Sequence, residues 1–373
     1  MTSEASSPAV VVLGGGILGV STAVHLLRGG AAVVLVTESA LSSEATGRSL
    51  SWLNSAGERS EAYHRLRDLG IDRYRTLYAA DPSREWLQFG GGLHWKAAGQ
   101  LAETEKRHAA EARRGYDSHL LTPDDVARYV PGVDPEAIPE AAIFNPGEGW
   151  VSLPHLVDFL MEEFHRLGGE LVLRAGKAEV RIEGGRAVGV VTESGKLIGG
   201  DAVVVACGAG TPAVLTQVGI DVPTRSPLAM LVETKPVEHE LRSVLNTPRV
   251  AIRPNPGGTL ALDHDWYEDR LVDYGDGTFG VDEEVVEALA AEASRLLAGH
   301  PEVKPASWRV GYKPIPGDGQ PVLGQTSRVS GCFVAFSHSG ATLGLIAGEL
   351  LADEILSGQP HPLLASFSPD RFA

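Results

Sequence analysis

Cysteine is scarce. Two residues among 373, Cys207 and Cys332, are too few for a disulfide framework, and each lies in an apolar, strand-like run that reads as a buried free thiol. With no C-x-x-C and no Cys/His cluster, a metal site is not expected, and a reducing cytoplasm is the compartment implied. Long apolar runs are also missing. None approaches the roughly 18 residues a membrane span requires. Residues 1–8 are polar and lack a basic leader region, so they do not read as a signal peptide. Cations are in short supply: 32 Lys and Arg face 48 Asp and Glu, a net charge of −16. That deficit argues against nucleic acid or an anionic membrane as partner. There is no internal repeat and no low-complexity tract. A hydrophobic content of 43% is that of a globular chain, long enough for two domains.

What is plentiful is glycine, and its placement is informative. A short apolar run at residues 10–13 reads as a buried strand. Gly14, Gly16 and Gly19 follow as G-x-G-x-x-G, then a helical pattern, then a second apolar run at 33–36 that ends near Glu38 and Ser39. Gly14 permits a tight turn, Gly16 lets a pyrophosphate approach the backbone, and Gly19 lets the helix pack on the sheet. The helix start, with Ile17 and Leu18, offers N–H groups and partial positive charge to phosphate. Glu38 suits ribose hydroxyls, which favours FAD or NAD over NADP.

Residues 42–57 read as a loop of small, hydroxyl-bearing residues on the cofactor side of the sheet. Arg48 is its one cation and suits a phosphate or carboxylate. Trp52 and Asn54 read equally as pocket lining or as core. Further on, the periodicity predicts helices over 61–77, 101–114 (charged and solvent-facing) and 152–169, with Thr122 capping a short helix. Strands are predicted at 171–173, 178–182, 187–192, 196–198 and 202–206, the last leading into C-G-A-G at 207–210. Residues 223–234 and 249–263 read as strands of a separate antiparallel sheet, and 282–297 as a helix capped by Asp282. The polar-aromatic cluster 263–267 at a sheet end reads either as lining of a substrate pocket or, preferred, as an exposed loop. A strand at 331–337 leads into H-S-G-A-T-L-G and a closing helix to about residue 356, a second strand–glycine–helix unit. His338, at its start, reads as a turn residue or as an acid–base group.

Five motifs in this order resemble one family. G-G-G-I-L-G with V-T-E, A-T-G-R-S (45–49), G-E-G-W-V-S-L-P-H-L (147–156), V-V-V-A-C-G-A-G (203–210), and Y-K-P-I-P-G-D-G-Q-P-V-L-G with F-S-H-S-G-A-T-L-G together are similar to the D-amino-acid oxidase superfamily of FAD-dependent oxidoreductases, which includes glycine and sarcosine oxidases. The resemblance implies an α/β fold with a discontinuous, Rossmann-like FAD-binding domain (1–85, 147–222 and 305–373) and an α+β substrate domain with an antiparallel sheet (86–146 and 223–304). It implies FAD held by Gly14, Gly16, Ile17, Leu18, Gly19, Glu38, Ser39, Thr46, Gly47, Arg48, Ser49, Trp52, Leu53, Val180, Cys207, Gly208, Gly340, Ala341, Thr342 and Leu343. The implied activity is C–N bond oxidation of a small amine or amino acid, glycine- or sarcosine-like or an N-carboxymethyl secondary amine, with O₂ reduced to H₂O₂. A dehydrogenase with another electron acceptor, or a non-catalytic flavin-binding subunit, are the alternatives.

Two departures from the family pattern stand out. Lys313 occupies the position where the family carries an arginine for the substrate carboxylate, and lysine cannot form the bidentate fork. Arg309 and Arg253 are the other candidate cations, and His338 and Trp52 complete the candidate catalytic set. Val310, Gly311 and Tyr312 stand where some relatives place a flavin-linking cysteine, so non-covalent FAD is expected.

Overall fold

The computed structural model describes residues 7–372; most of the 1–8 segment read for a leader lies outside them. The chain divides into two compact units, Met1–Gly47 with Leu153–Ser226 and Tyr312–Ala373, and Arg48–Ser152 with Pro227–Gly311.

The first unit is built on a six-stranded sheet. Its order is Val322–Gln325, Cys332–Phe336, Ala202–Val205, Ala9–Leu13, Ala32–Val36 and Glu170–Val172. All neighbours are parallel except the first pair. The strands are short and almost wholly apolar, as a sheet covered on both faces demands. Val11, Val203, Val205 and Val334 are inaccessible to solvent and join Leu13, Val36 and Phe336 in one core. The helix Ile17–Arg28 packs against Gly340–Ser357 and Leu153–Arg166. Leu153–Arg166 buries Leu156, Val157, Leu160 and Phe164, a stripe at helical spacing. The contact between the first and last helices depends on small residues: a Cβ on Gly348 would lie 2.3 Å from Ser21 Oγ and 2.7 Å from the Ser21 backbone. Strands Glu179–Glu183, Arg186–Val191 and Leu197–Gly199 form a separate antiparallel sheet.

The second unit holds a mixed eight-stranded sheet. Its order is Pro305–Tyr312, Leu228–Thr234, Thr259–Asp263, Ala251–Asn255, Val244–Asn246, Gly92–Trp95, Ala142–Asn145 and His119–Leu121. It is not purely antiparallel, because Val244–Asn246 and Gly92–Trp95 run parallel. Alternate residues Leu93, Ile252, Leu260 and Leu262 enter a core with Val285, Leu289 and Ala293 of the helix Glu283–Leu296. Strand pleating therefore turns Gly92, His94, Arg253 and Asn255 to the opposite face. A three-stranded sheet pairs Trp52–Leu53 and Leu87–Gln88 with Gly149–Val151. That pairing draws residues 48–85, expected with the nucleotide domain, into the second unit.

Several local readings need correction. The 42–57 loop contains a 3₁₀ turn, Ala45–Arg48, and the short strand Trp52–Leu53. The helix Leu101–Arg113 is not simply solvent-facing, since Glu111 on it is fully buried. Asp282 makes no side-chain capping bond, whereas Thr122 forms a full capping box with Asp125. The 263–267 cluster is not an exposed loop: the Tyr267 ring is wholly buried and its O–H donates to Met230 O at 3.1 Å. Thr224–Arg225 leaves the large sheet and pairs with Ile315–Pro316.

Candidate active site

The two glycine turns predicted at the ends of the chain stand side by side in the first unit. Gly14 leaves its strand at φ +125°, and a Cβ there would sit 2.2 Å from Ala206 O. A Cβ on Gly19 would lie 2.0 Å from Gly14 O, so only glycine closes this strand–turn–helix. Gly16 caps the helix with no side-chain hydrogen bond. Thr46 Oγ1 accepts from Ile17 N at 3.0 Å and would meet a Gly16 Cβ at the same distance. The last helix likewise begins without a side-chain cap, at Ser339. A Cβ on Gly340 would lie 3.8 Å from Ile17 Cγ2. Strand Ala202–Val205 lies between the two parent strands. It ends before Cys207, whose thiol donates to Leu13 O at 3.5 Å. Burial, reinforced by the nearby Glu38 carboxylate, pushes that thiol up to about 12. Glu38 and Cys207 thus share the carboxyl edge of the sheet.

The second unit concentrates buried polar groups. Glu148 is fully buried and accepts from Trp52 Nε1 at 2.7 Å and from the Tyr116 hydroxyl at 2.6 Å. Burial raises its carboxyl to about 8. Tyr116 in turn accepts from Ser55 N at 2.9 Å. Burial also works to raise Glu111, but Arg107 (2.9 Å), Gly57 N–H (2.9 Å) and Asn145 (3.1 Å) outweigh it and hold that carboxyl below the ordinary range. Arg67 donates to Asn54 O at 2.7 Å and Asn54 Oδ1 at 3.0 Å. His94 donates through Nδ1 to Asn246 O at 2.9 Å, its Nε2 is buried without a partner, and burial lowers it to about 3, so the ring is neutral.

Arg253 is only 2% exposed. Its Nη1 donates to Pro254 O and Asn255 Oδ1, its Nε is buried without a partner, and its guanidinium stacks over Trp150 at 5.1 Å. Burial lowers it to about 10, and Glu233 pulls the other way. Trp150 and Asn255 line a cleft of about 570 Å³ together with Phe89, Gly90 and Arg242.

A family model described as DAO, FAD dependent oxidoreductase, matches residues 9–354. The chain belongs to this family. Glycine oxidase of Pseudomonas aeruginosa is 26% identical over 97% of this chain and 99% of its own length. The formaldehyde-forming 4-methylaminobutanoate oxidase of Paenarthrobacter nicotinovorans is 25% identical over 94% of this chain, which spans 44% of that longer relative. Among solved structures, glycine oxidase from Bacillus cereus superposes with a TM-score of 0.79 at 21% identity, covering 96% of this chain and 98% of that one. FAD is the cofactor, and the protein is an amine- or amino-acid-directed oxidoreductase. The DAO-family cofactor fits the geometry: the first turn is built of glycines that leave no room for a Cβ, and two helix N-termini whose N-cap residues supply no side-chain cap stand at one sheet edge.

The DAO-family residues named from the sequence fall as follows. Gly14, Gly16, Ile17, Leu18, Gly19, Glu38, Ser39, Thr46, Gly47, Cys207, Gly208, Gly340, Ala341, Thr342 and Leu343 all lie at or beside the ends of the parallel strands, with Gly208 at φ +56°. Cys207 lies past its strand end, correcting its reading as a strand residue. Val180 is a core residue of the separate three-stranded sheet. Arg48, Ser49, Trp52 and Leu53 belong to the second unit. There the Arg48 guanidinium covers the Gly311 backbone, where a Cβ would come within 2.2 Å of it. Lys313 is half-buried, while Arg309 and His338 are exposed. Glu148, Tyr116, Glu111 and Arg67 carry little signal in the sequence. The one trace is an acid set among glycines, N-P-G-E-G-W, ahead of a buried strand.

Proposed function

We propose that this protein is an oxidase of a small amine bearing a carboxylate, glycine-like or an N-carboxymethyl secondary amine, using non-covalently bound FAD and O₂. The first unit is read as the FAD-binding domain and the second as the substrate domain. The observation that carries the reading is the adjacency of the two glycine turns, which present two helix N-termini at one sheet edge. Two relatives named as oxidases, of glycine and of a methylamino acid, support the substrate class.

Bound FAD supplies a hydride acceptor for the carbon next to nitrogen and a route for the electron pair to O₂, giving H₂O₂, while the released imine hydrolyses to a carbonyl compound and an amine. The chain's part is to bind and orient. Gly14, Gly16, Gly19 and Thr46 hold the phosphate region, and Glu38 takes the ribose hydroxyls. The helix N-terminus at Gly340–Leu343 would offer partial positive charge to an anionic form of the cofactor. No side chain is required as a base if the neutral amine is held against the acceptor. Val310, Gly311 and Tyr312 carry no thiol, and the Cys207 thiol is high in pKa and hydrogen-bonded, which supports non-covalent binding.

A cation must receive the carboxylate. Arg253 is favoured over Lys313 and Arg309 because it is buried, stacked and left with an unused Nε–H. The test is an amine screen coupled to peroxide release, with flavin bleaching followed without air. The result expected is a yellow protein that bleaches with an N-carboxymethyl amine and recolours in air. A reduced flavin that stays reduced in air would replace O₂ by another acceptor. A protein that takes up no FAD would end the reading.

A further inference from the structure

We propose that Glu148 is a positioning residue that locks the Trp52 indole by its N–H edge, so that the ring forms a fixed wall limiting the size of the substituent on the substrate nitrogen. This rests on the substrate reading above: Trp52 stands opposite Trp150 in the strand pairing, and Trp150 carries the guanidinium of Arg253, the proposed carboxylate partner. The physical basis of the lock is the bracing of residues 52–55.

That short segment is held at three points by Glu148, Arg67 and the half-buried Tyr116, which come from separate elements. Trp52 donates to Glu148, in the turn before the strand Gly149–Val151. Asn54 is gripped twice by Arg67 of the helix Glu61–Ala80. Ser55 donates its N–H to Tyr116, which donates to Glu148. Glu148 therefore holds both ends, one directly and one through Tyr116. Room for its carboxyl is built in: a Cβ on Gly92 would lie 2.1 Å from Glu148 Oε2 and 3.0 Å from Trp52 Nε1. Ser51, just before the indole, stands at φ +58°, an uncommon conformation for a residue with a side chain. A fully buried carboxyl is costly, and a simple core contact would not need one. What a carboxyl supplies is direction: its two oxygens face two separate donors, and both become full acceptors once it ionises.

The groups facing this carboxyl are Tyr116, together with Glu111 and Arg107 of the helix Leu101–Arg113. Asp68 of the helix Glu61–Ala80 acts on Tyr116, and neutral His94 of the strand Gly92–Trp95 lies in the field of Arg107 and Glu111. Burial drives Tyr116 up and His94 down to about 3, and Arg107 helps hold Glu111 low. His64 of the helix Glu61–Ala80 is a further titratable neighbour, its ring edge-on to Tyr116 and its Nδ1 2.6 Å from Ser55 Oγ, so the Glu148 step is identified as the part of the titration that Glu148→Gln removes.

The experiment uses the holoenzyme with ¹⁵N-indole tryptophan. Six indole signals are expected, and the one absent from Trp52→Phe is Trp52. In the wild type it should move as pH passes through about 8, when Glu148 ionises and its hydrogen bonds become charge-assisted. In Glu148→Gln it should no longer titrate there, because the amide resembles the protonated carboxyl present below about pH 8 but cannot become the two-acceptor carboxylate formed above it. In parallel, KM and kcat are measured for N-carboxymethyl amines of increasing N-substituent size. Glu148→Gln should flatten the size preference by about tenfold in kcat/KM, the scale of one misplaced hydrogen bond. Trp52→Phe should do the same, and the double variant should be no worse than Trp52→Phe alone. Where Glu148→Gln does not accumulate as folded protein, Tyr116→Phe, which leaves the carboxyl in place, should couple to Trp52 in the same way. A Trp52 signal indifferent to pH and to Glu148 overturns the lock. Losses that simply add, or an unchanged size preference, overturn the wall. A titrating Trp52 in a protein that oxidises no amine leaves the lock standing and removes the substrate reading instead.

Discussion

Arg253 is the single residue on which the proposed carboxylate recognition turns. In A-I-R-P-N it takes the polar place of an alternating strand, so the sequence marks it as a cation but not as a buried one. The fold then buries it with no carboxylate among the described residues at contact distance, a state that lowers stability unless something else is gained. Arg253→Met keeps the stem and removes the charge. It should raise the melting temperature while increasing KM for carboxylate-bearing amines, a loss of about 2–5 kcal/mol in apparent binding. Uncharged amines should be unaffected and the flavin absorbance retained. An unchanged KM moves the carboxylate partner to Lys313, where Lys313→Ala becomes the informative variant. Glu148 is not legible in the same way. One acid in a glycine-rich turn looks like any surface turn, and its burial depends on Tyr116, Gly92 and Trp52, which lie 32, 56 and 96 positions away. Glu111 misleads for a related reason: helical periodicity predicts which face is apolar, but not that a charged residue on the other face will be covered by a loop.

At the scale of elements, the strand–glycine–helix units are the most legible parts, because the demand for glycine is local and steric. The consequences of filling them differ and can be measured. Gly19→Ala puts a methyl into Gly14 O and should abolish FAD retention on gel filtration. Gly348→Ala pushes the last helix from the first, since its Cβ would fall within 2.7 Å of the Ser21 backbone. Overpacking of this kind costs about 1–3 kcal/mol, and with it FAD should dissociate faster. Gly30→Ala, at φ +87° with open space around it, serves as the control. It should lose stability from backbone strain alone and keep its flavin. If Gly348→Ala and Gly30→Ala hold FAD equally well, the helix pair does not set the cofactor site. Strand pairing is less legible. The short strands at 52–53, 87–88 and 149–151 carry too few residues to show a period, and their assembly into one sheet is decided by tertiary contact.

At the scale of the whole molecule, pH is the most revealing variable. The folded chain keeps the Glu148 proton up to about pH 8, whereas the unfolded chain releases it near 4.5. Between those values the native state binds the extra proton, so this group's contribution is complete at low pH and is lost as pH rises through the window. Every tenfold gain in proton affinity corresponds to about 1.4 kcal/mol, so the effect is of the order of several kcal/mol. Denaturant midpoints of the wild type should therefore fall between pH 5 and 8 more steeply than those of Glu148→Gln. Parallel curves would show that the carboxyl is ionised in the fold throughout. The broad architecture, a parallel nucleotide-binding sheet and a second sheet-bearing unit, is readable from motif order. The boundary is not, because residues 48–85 follow the nucleotide motifs in sequence yet pair with a strand about a hundred residues later.

The first unit takes its parallel strands from three distant stretches of chain, and its first helix finds its main partner in the last. During synthesis the opening strand–turn–helix must wait, its apolar surface uncovered, until residues 332–357 have emerged. Such long-range closure is slow and exposes the nascent chain to aggregation. Yield should thus respond more to chaperone supply and to slower translation than to extra riboflavin, because the first helix lacks its main packing partner until the final helix docks.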